Sequence, residues 1–188
     1  MFEWAEYMAT KNTLRQRLIR TSKIHFIFVT ALIAQVIIYD ASKLIPPETV
    51  LKRWIGAAIL LAITAIIWYF AKNKSTSVAY DKLLLSLLVL ADIVAISFVI
   101  YGTRGMASRA VALYAIPIVI SAIVLKRTAV YTTAVLCIAA YTTTAISYFV
   151  LNFNEGYKVE LYGEIGFYSV VMLILAGIIN TLIPSQNK

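Results

Sequence analysis

The only acidic side chain well inside a long apolar run belongs to Asp92, in the stretch LLVLADIVAIS. A charge at the middle of a bilayer costs about 2.5–3.5 kcal/mol on insertion scales, so this carboxyl must find a partner or take up a proton. It could act as a proton site, an ion site or a signal-coupling residue. The alternative is a structural carboxyl that faces a helix bundle and bonds to a Ser, Thr or Tyr of a neighbouring helix.

Hydroxyl side chains are concentrated in a second apolar run, Thr128–Leu151. Ala139, Thr143 and Ser147 repeat every four residues within it. Small residues at this spacing let two helix backbones approach closely, and their hydroxyls can bond across the contact. Helix packing is therefore the expected role of this stripe, and a polar ligand groove is the alternative.

Two tyrosines of the same run extend the groove hypothesis. Tyr141 and Tyr148 are seven residues apart, so in an α-helix they share one face. Together they could line a pocket for a flat apolar ligand such as a quinone.

A glycine turn and a proline lie between these two runs. Gly102 and Gly105 occupy positions where a tight turn can need a positive φ. Pro117 has no N–H to donate to the carbonyl of Leu113, so a helix that contains it is predicted to bend. The sequence predicts a short turn at 102–108 followed by a kinked helix.

The remaining reactive side chains form no recognisable catalytic or metal-binding set. Cys137 is the only cysteine and His25 the only histidine, and neither has a partner of ligating type nearby in the sequence. We interpret the first as a packing residue and the second as an interfacial residue. No nucleophile–base pair appears either. We therefore predict no enzyme, no cofactor and no metal site.

The elements that must position these residues are set by the composition of the 188-residue chain. Apolar residues make up 61% of it and charged residues only 14%, which exceeds what a soluble domain of this size can bury. Long apolar runs of roughly bilayer-spanning length predict helices, because backbone groups in lipid must be satisfied within one segment. The six runs are Ile24–Tyr39, Ile55–Ala71, Leu83–Tyr101, Ala110–Leu125, Thr128–Leu151 and Ile165–Ile183.

The placement of the net charge of +8 predicts the topology. If the six runs cross a membrane, 11 of the 17 basic residues fall on the side of the N-terminus and six on the other. Basic loops stay in the cytoplasm, so both termini are predicted inside. We expect four of these residues to anchor the chain at lipid headgroups and none to bind nucleic acid: Arg104, Arg109, Lys126 and Arg127.

The predicted organisation is an all-α polytopic membrane protein with a bundle of six transmembrane helices. Residues 1–23 form a basic, amphipathic cytoplasmic lead, 24–183 the membrane domain and 184–188 a cytoplasmic tail. Expected partners are membrane lipids and either a second copy of the chain or another membrane protein.

The stretch from Leu83 to Leu151 resembles the multi-span N-terminal region of bacterial sensor histidine kinases. The resemblance rests on an Asp in one helix, a glycine turn ending in Ser, a Leu-Tyr-x-x-Pro-Ile helix, a basic turn and an Ala-rich helix. These features correspond to Asp92; Gly102, Gly105 and Ser108; Leu113, Tyr114, Pro117 and Ile118; Lys126 and Arg127; and Ala134, Ala139 and Ala140.

The resemblance implies a sensory module in the inner membrane of a prokaryote, with coupling or ligand contacts among Asp92, Tyr114 and Pro117. Two departures qualify it. Arg104 stands where the family commonly has a paired glycine, and Arg109 where it has a proline. Nothing in the sequence resembles the phospho-accepting helix or the ATP-binding domain. The alternatives are a non-catalytic accessory or scaffold subunit and a small transporter.

Overall fold

The computed structural model describes residues 2–43, 45–72, 77–124, 126–152 and 158–183. Within these ranges the regular secondary structure is all helical, with short turns between the helices, which confirms the all-α class. The helices are α1 Phe2–Ser42, α2 Pro47–Lys72, α3 Val78–Gly102, α4 Ala115–Ser121, α5 Arg127–Asn152 and α6 Lys158–Leu182. The predicted tail, 184–188, lies outside the described residues.

Five of the six apolar runs form helices that are long and apolar enough to cross a bilayer. The fourth run does not form a long α-helix. In its place a 3-10 helix covers Arg109–Tyr114, α4 covers Ala115–Ser121, and a second 3-10 turn covers Ala122–Val124. We call these sixteen residues, 109–124, the fourth segment.

The chain divides into two compact units, Met1–Ala91 and Asp92–Lys188. In the first unit α1 and α2 pack as an antiparallel hairpin. Buried residues of α1 recur mostly at intervals of three or four positions, which places them on one side of the helix. Its members are Leu14, Leu18, Ser22, His25, Val29 and Val36.

Polar contacts tie the two helices of the hairpin together along its length. The Arg15 guanidinium donates to the carbonyls of Ala71 and Lys72 at distances of 3.0 and 2.6 Å. These carbonyls lie at the C-terminal end of α2 and have no partner within that helix, so Arg15 caps the C-terminus of α2. Toward the other end the Arg53 guanidinium lies 4.8 Å from the centre of the Tyr39 ring.

The first helix is also longer than a membrane requires. It has 41 residues, which gives a length of about 62 Å, about twice the thickness of the hydrocarbon core. It passes residue 23 without interruption, so the predicted lead and the first span are parts of one helix.

In the second unit, α5 contributes one continuous buried stripe. Small residues are included in it, which allows neighbouring elements to approach closely. The stripe consists of Val130, Thr133, Ala134, Cys137, Tyr141, Ala145 and Phe149. The predicted small-residue stripe of Ala139, Thr143 and Ser147 lies on the opposite, exposed side of the helix. These three residues are therefore not part of the buried stripe of α5, and their role in helix packing stays a prediction.

Candidate coupling site in the second unit

The connection between α3 and the fourth segment is a tight turn built on one glycine. Gly105 has φ +58°, and a Cβ placed on it would lie 2.6 Å from side-chain atoms of Tyr148. Only glycine satisfies both conditions. Gly102, by contrast, needs no positive φ and has open space around it, and the second left-handed residue is Arg104, with φ +79°. The prediction of a positive φ is thus correct for Gly105 and wrong for Gly102.

Ser108 joins this turn to the start of the fourth segment. Its hydroxyl oxygen accepts from the backbone N–H of Ala110 at 3.2 Å and thereby caps the 3-10 helix. The same hydroxyl lies 2.5 Å from that of Thr103. Thr103 already donates to the carbonyl of Val99 at 2.6 Å. Because a hydroxyl has a single hydrogen, Ser108 is the donor to Thr103.

Tyr114 joins the end of the 3-10 stretch to α3. Its side chain is fully buried, and its hydroxyl lies 2.7 Å from the Ser97 hydroxyl. Ser97 donates to the carbonyl of Ile93 at 2.8 Å, so Tyr114 is the donor in the pair. One hydrogen bond therefore lies near each end of the 3-10 stretch, the first to Thr103 directly after α3 and the second to Ser97 within α3.

Pro117 is buried at the third residue of α4. In the first turn of an α-helix an N–H has no intrahelical acceptor, so proline is tolerated there. Upstream of it, the N–H of Ala115 donates to the carbonyl of Ala112, three residues before, and also reaches that of Leu113. The predicted loss of the bond from residue 117 to Leu113 is thus accommodated by a change of helix type. A single kinked α-helix, which we expected, is not what forms.

Asp92 belongs to a buried cluster of polar side chains in the second unit. The carboxyl is fully buried and within electrostatic range of the Cys137 thiol. Cys137 is in turn within such range of Tyr114, and Tyr114 of Tyr141. All four side chains have 0% exposure. Three of the predicted site residues, Asp92, Tyr114 and Tyr141, are thus buried in the same unit together with Cys137.

The two tyrosines proposed to line a ligand groove are each covered by another aromatic ring. Tyr141 packs edge-to-face against Tyr168 with ring centres 5.6 Å apart, and Tyr148 packs in the same way against Tyr101. Thr143 is exposed, and its hydroxyl donates to the carbonyl of Ala139 in its own helix. These contacts favour a packing role for the tyrosines.

The four predicted headgroup anchors are all exposed. Arg104 and Arg109 flank the turn before the fourth segment, and Lys126 and Arg127 follow the segment. The basic residues thus lie at the two ends of this segment, where the sequence predicted lipid headgroups.

The sequence analysis missed a polar pair in the first unit. His25 is 2% exposed, and its Nδ1 lies 2.9 Å from the Thr64 hydroxyl of α2. Thr64 donates to the carbonyl of Leu60 at 2.7 Å, so it must accept from His25, which fixes a hydrogen on Nδ1. The helix–helix contact covers the ring of His25, and its interfacial position stays a prediction. Spacing alone could not reveal this, because the partner is 39 residues away.

Comparisons of this chain with protein-family models, with curated proteins and with solved structures gave no match. The resemblance to sensor histidine kinases therefore stays a prediction. Among the described residues no group of three or more His, Cys, Asp or Glu side chains is arranged to hold a metal ion. The function has to be argued from the geometry of the fourth segment and the buried cluster.

Proposed function

We propose that this protein is a membrane-embedded signal-coupling module whose moving part is the fourth segment. One observation carries the proposal: six consecutive residues, Arg109–Tyr114, adopt a 3-10 helix inside an apolar segment. Runs of this helix longer than three or four residues are uncommon. This run has six residues and stands directly before α4. A segment that serves only as a membrane anchor has no need of this arrangement.

The same geometry supports six spans. A 3-10 helix rises about 2.0 Å per residue and an α-helix about 1.5 Å. With nine residues of the first kind and seven of the second, the fourth segment is about 28 Å long, against about 24 Å if it were wholly α-helical. The hydrocarbon core is about 30 Å thick. The length of the segment is thus within about 2 Å of the thickness of the core, and a span here would bring Arg109 and Lys126 close to the two surfaces.

Cysteine labelling tests this topology. In cells that carry Cys137→Ala, a membrane-impermeant maleimide should label Ala107→Cys from outside and should label Lys126→Cys only after the cells are opened. Both positions are exposed in the folded chain, so neither is protected by packing. Labelling of both from the same side would leave five spans and place the termini on opposite sides of the membrane.

Asp92 fits the coupling role because a buried carboxyl makes the arrangement around it sensitive to small displacements. Inside a protein of low dielectric, electrostatic interactions between such groups are strong and depend on distance. Movement of Tyr114 would therefore alter the surroundings of both Cys137 and Asp92.

Gene expression in cells that produce the protein distinguishes signalling from a scaffold role. Pro117→Ala should bias the fourth segment toward one state, because alanine restores the N–H and removes the ring that crowds the Leu113 carbonyl. A signalling module predicts expression changes in the Pro117→Ala cells that a deletion strain does not show. The Pro117→Ala and wild-type proteins are compared at equal abundance. If gene expression in the Pro117→Ala cells matched that of either the wild type or the deletion strain, the scaffold alternative would be favoured instead.

A further inference from the structure

We infer that the stimulus of this module is the thickness of the lipid bilayer, read by exchange of Arg109–Tyr114 between the 3-10 form and an α-helical form. The inference rests on the proposed function and names its stimulus. It follows from three features of the fourth segment: its length, the two hydrogen bonds that bracket it, and the position of its proline.

The two forms of the segment differ in length and in rotation. Conversion of six residues to α-helix shortens the segment by about 3 Å, since each residue rises about 0.5 Å less. A 3-10 helix turns about 120° per residue and an α-helix about 100°, so the two ends also rotate by about 120° relative to each other. The change is therefore a screw motion and not a bend.

Hydrophobic mismatch acts on that difference in length. A spanning segment that is too long or too short for its bilayer is disfavoured in proportion to the mismatch. The observed form, at about 28 Å, suits a core of average thickness, and the α-helical form suits a core several ångströms thinner. A thinner bilayer must therefore shift the balance toward the α-helical form.

The side chains that line the segment match the 3-10 form. Ser108, Val111, Tyr114 and Pro117 are all buried and follow one another at intervals of three residues. Three residues make one full turn of a 3-10 helix, so Val111 and Tyr114, the two of them within the 3-10 stretch, lie in one line. In an α-helix each would be displaced by about 60° from the previous one, and the line would be lost.

The hydrogen bonds at the two ends of the stretch make the exchange a two-state event. Ser108 donates to Thr103 at the start of the stretch and Tyr114 to Ser97 at its end. A rotation of about 120° between the two ends cannot preserve both bonds. Conversion therefore breaks at least one of them, and the segment does not deform gradually.

Spin-label distances in bilayers of different thickness test the inference. Labels at Ala107→Cys and Lys126→Cys, in a Cys137→Ala chain, report the length of the segment, and both positions are exposed. The chain is reconstituted into dimyristoleoyl or dieicosenoyl phosphatidylcholine, which form thin and thick bilayers. We expect a distance shorter by about 3 Å in the thin bilayer, with the ratio of the two populations changed about fivefold or more.

Two substitutions and a control pair of spin labels show whether a change in distance comes from conversion of the fourth segment. Pro117→Ala and Tyr114→Phe should favour the short distance in both bilayers, because the first permits the α-helix and the second removes one hydrogen bond. Labels at Leu51→Cys and Tyr69→Cys, both exposed on the uninterrupted helix α2, should give the same distance in both.

An unchanged distance between Ala107→Cys and Lys126→Cys in the two bilayers overturns the thickness inference. If Pro117→Ala still shortens that distance, the segment is convertible and the proposed function stands with a different stimulus. If neither the bilayer nor Pro117→Ala changes it, the inference and the proposed function both fall.

Discussion

The α1–α2 hairpin and the second unit are both built from apolar helices, but they use polar side chains for different purposes. In the hairpin, Arg15 and the His25–Thr64 pair connect two continuous α-helices side by side. In the second unit, Ser108 and Tyr114 hold a stretch of backbone that is not α-helical. The first arrangement strengthens a structure that the backbone already favours. The second stabilises one of two accessible forms.

The difference has a physical basis in the backbone. Continuous α-helices satisfy their own N–H and C=O groups, so polar side chains add to a structure that is already complete. In the fourth segment Pro117 disfavours backward extension of the α-helix, and the 3-10 stretch has weaker hydrogen-bond geometry. Contacts with α3 therefore decide which form is populated. The comparison predicts that substitutions in the hairpin change stability, whereas those around the fourth segment change conformation as well.

The largest effect is expected at Gly105. Gly105→Val must place a branched side chain at φ +58° and against Tyr148. We expect a loss of about 2–5 kcal/mol, from the left-handed backbone and the overlap together. Unfolding by SDS titration in mixed micelles measures it, followed by tyrosine fluorescence and circular dichroism.

Gly102→Ala is the matched control for Gly105→Val. It changes a glycine of the same turn that has no positive φ and nothing within 4 Å of its added Cβ. Its stability should stay within about 1 kcal/mol of wild type. Equal effects of the two substitutions would mean that the turn does not depend on Gly105 as described.

A smaller effect is expected in the hairpin at Thr64. Thr64→Val keeps the shape of the side chain and removes the acceptor for the Nδ1–H of His25. We expect a loss of about 1–2 kcal/mol, because the cost of a buried donor without its acceptor is moderated in membranes. The unfolding midpoint should fall while spin-label distances in the fourth segment stay unchanged.

Thr30→Val serves as the control for Thr64→Val, since Thr30 is exposed and donates only to the carbonyl of Phe26 in its own helix among the contacts seen. Its unfolding midpoint should match that of wild type. A change in the fourth-segment distance on Thr64→Val would contradict the separation of roles between hairpin and fourth segment.

The sequence allowed the all-α class and five of the long helices to be predicted, because hydropathy and length act locally. The buried position of Asp92 followed from the cost of a charge in lipid. The helix type of Arg109–Tyr114 could not be predicted. Every residue from Ala110 to Val124 is apolar or small, so three-residue and 3.6-residue periods look alike in the sequence.

The polar contacts were equally hidden from sequence analysis. Arg15 was counted as a basic topology residue, yet its guanidinium caps a helix that ends 57 residues later. His25 and Ser97 bond to partners that only the packing brings close. Ser108 was the exception, because the resemblance already placed it at the end of the glycine turn. Contacts between residues distant in sequence depend on tertiary structure, which residue type and spacing do not encode directly.

The hydrogen-bond acceptor of the Ala115 amide tests the central claim most directly. In isotope-labelled protein in bicelles, NMR couplings transmitted across hydrogen bonds connect an amide nitrogen to the carbonyl carbon that accepts from it. The 3-10 form predicts a correlation from Ala115 to the carbonyl of Ala112, three residues before, and Pro117→Ala should move it to Val111, four residues before. A correlation to Val111 in the wild-type protein would show that the fourth segment is an ordinary α-helix and would contradict the account.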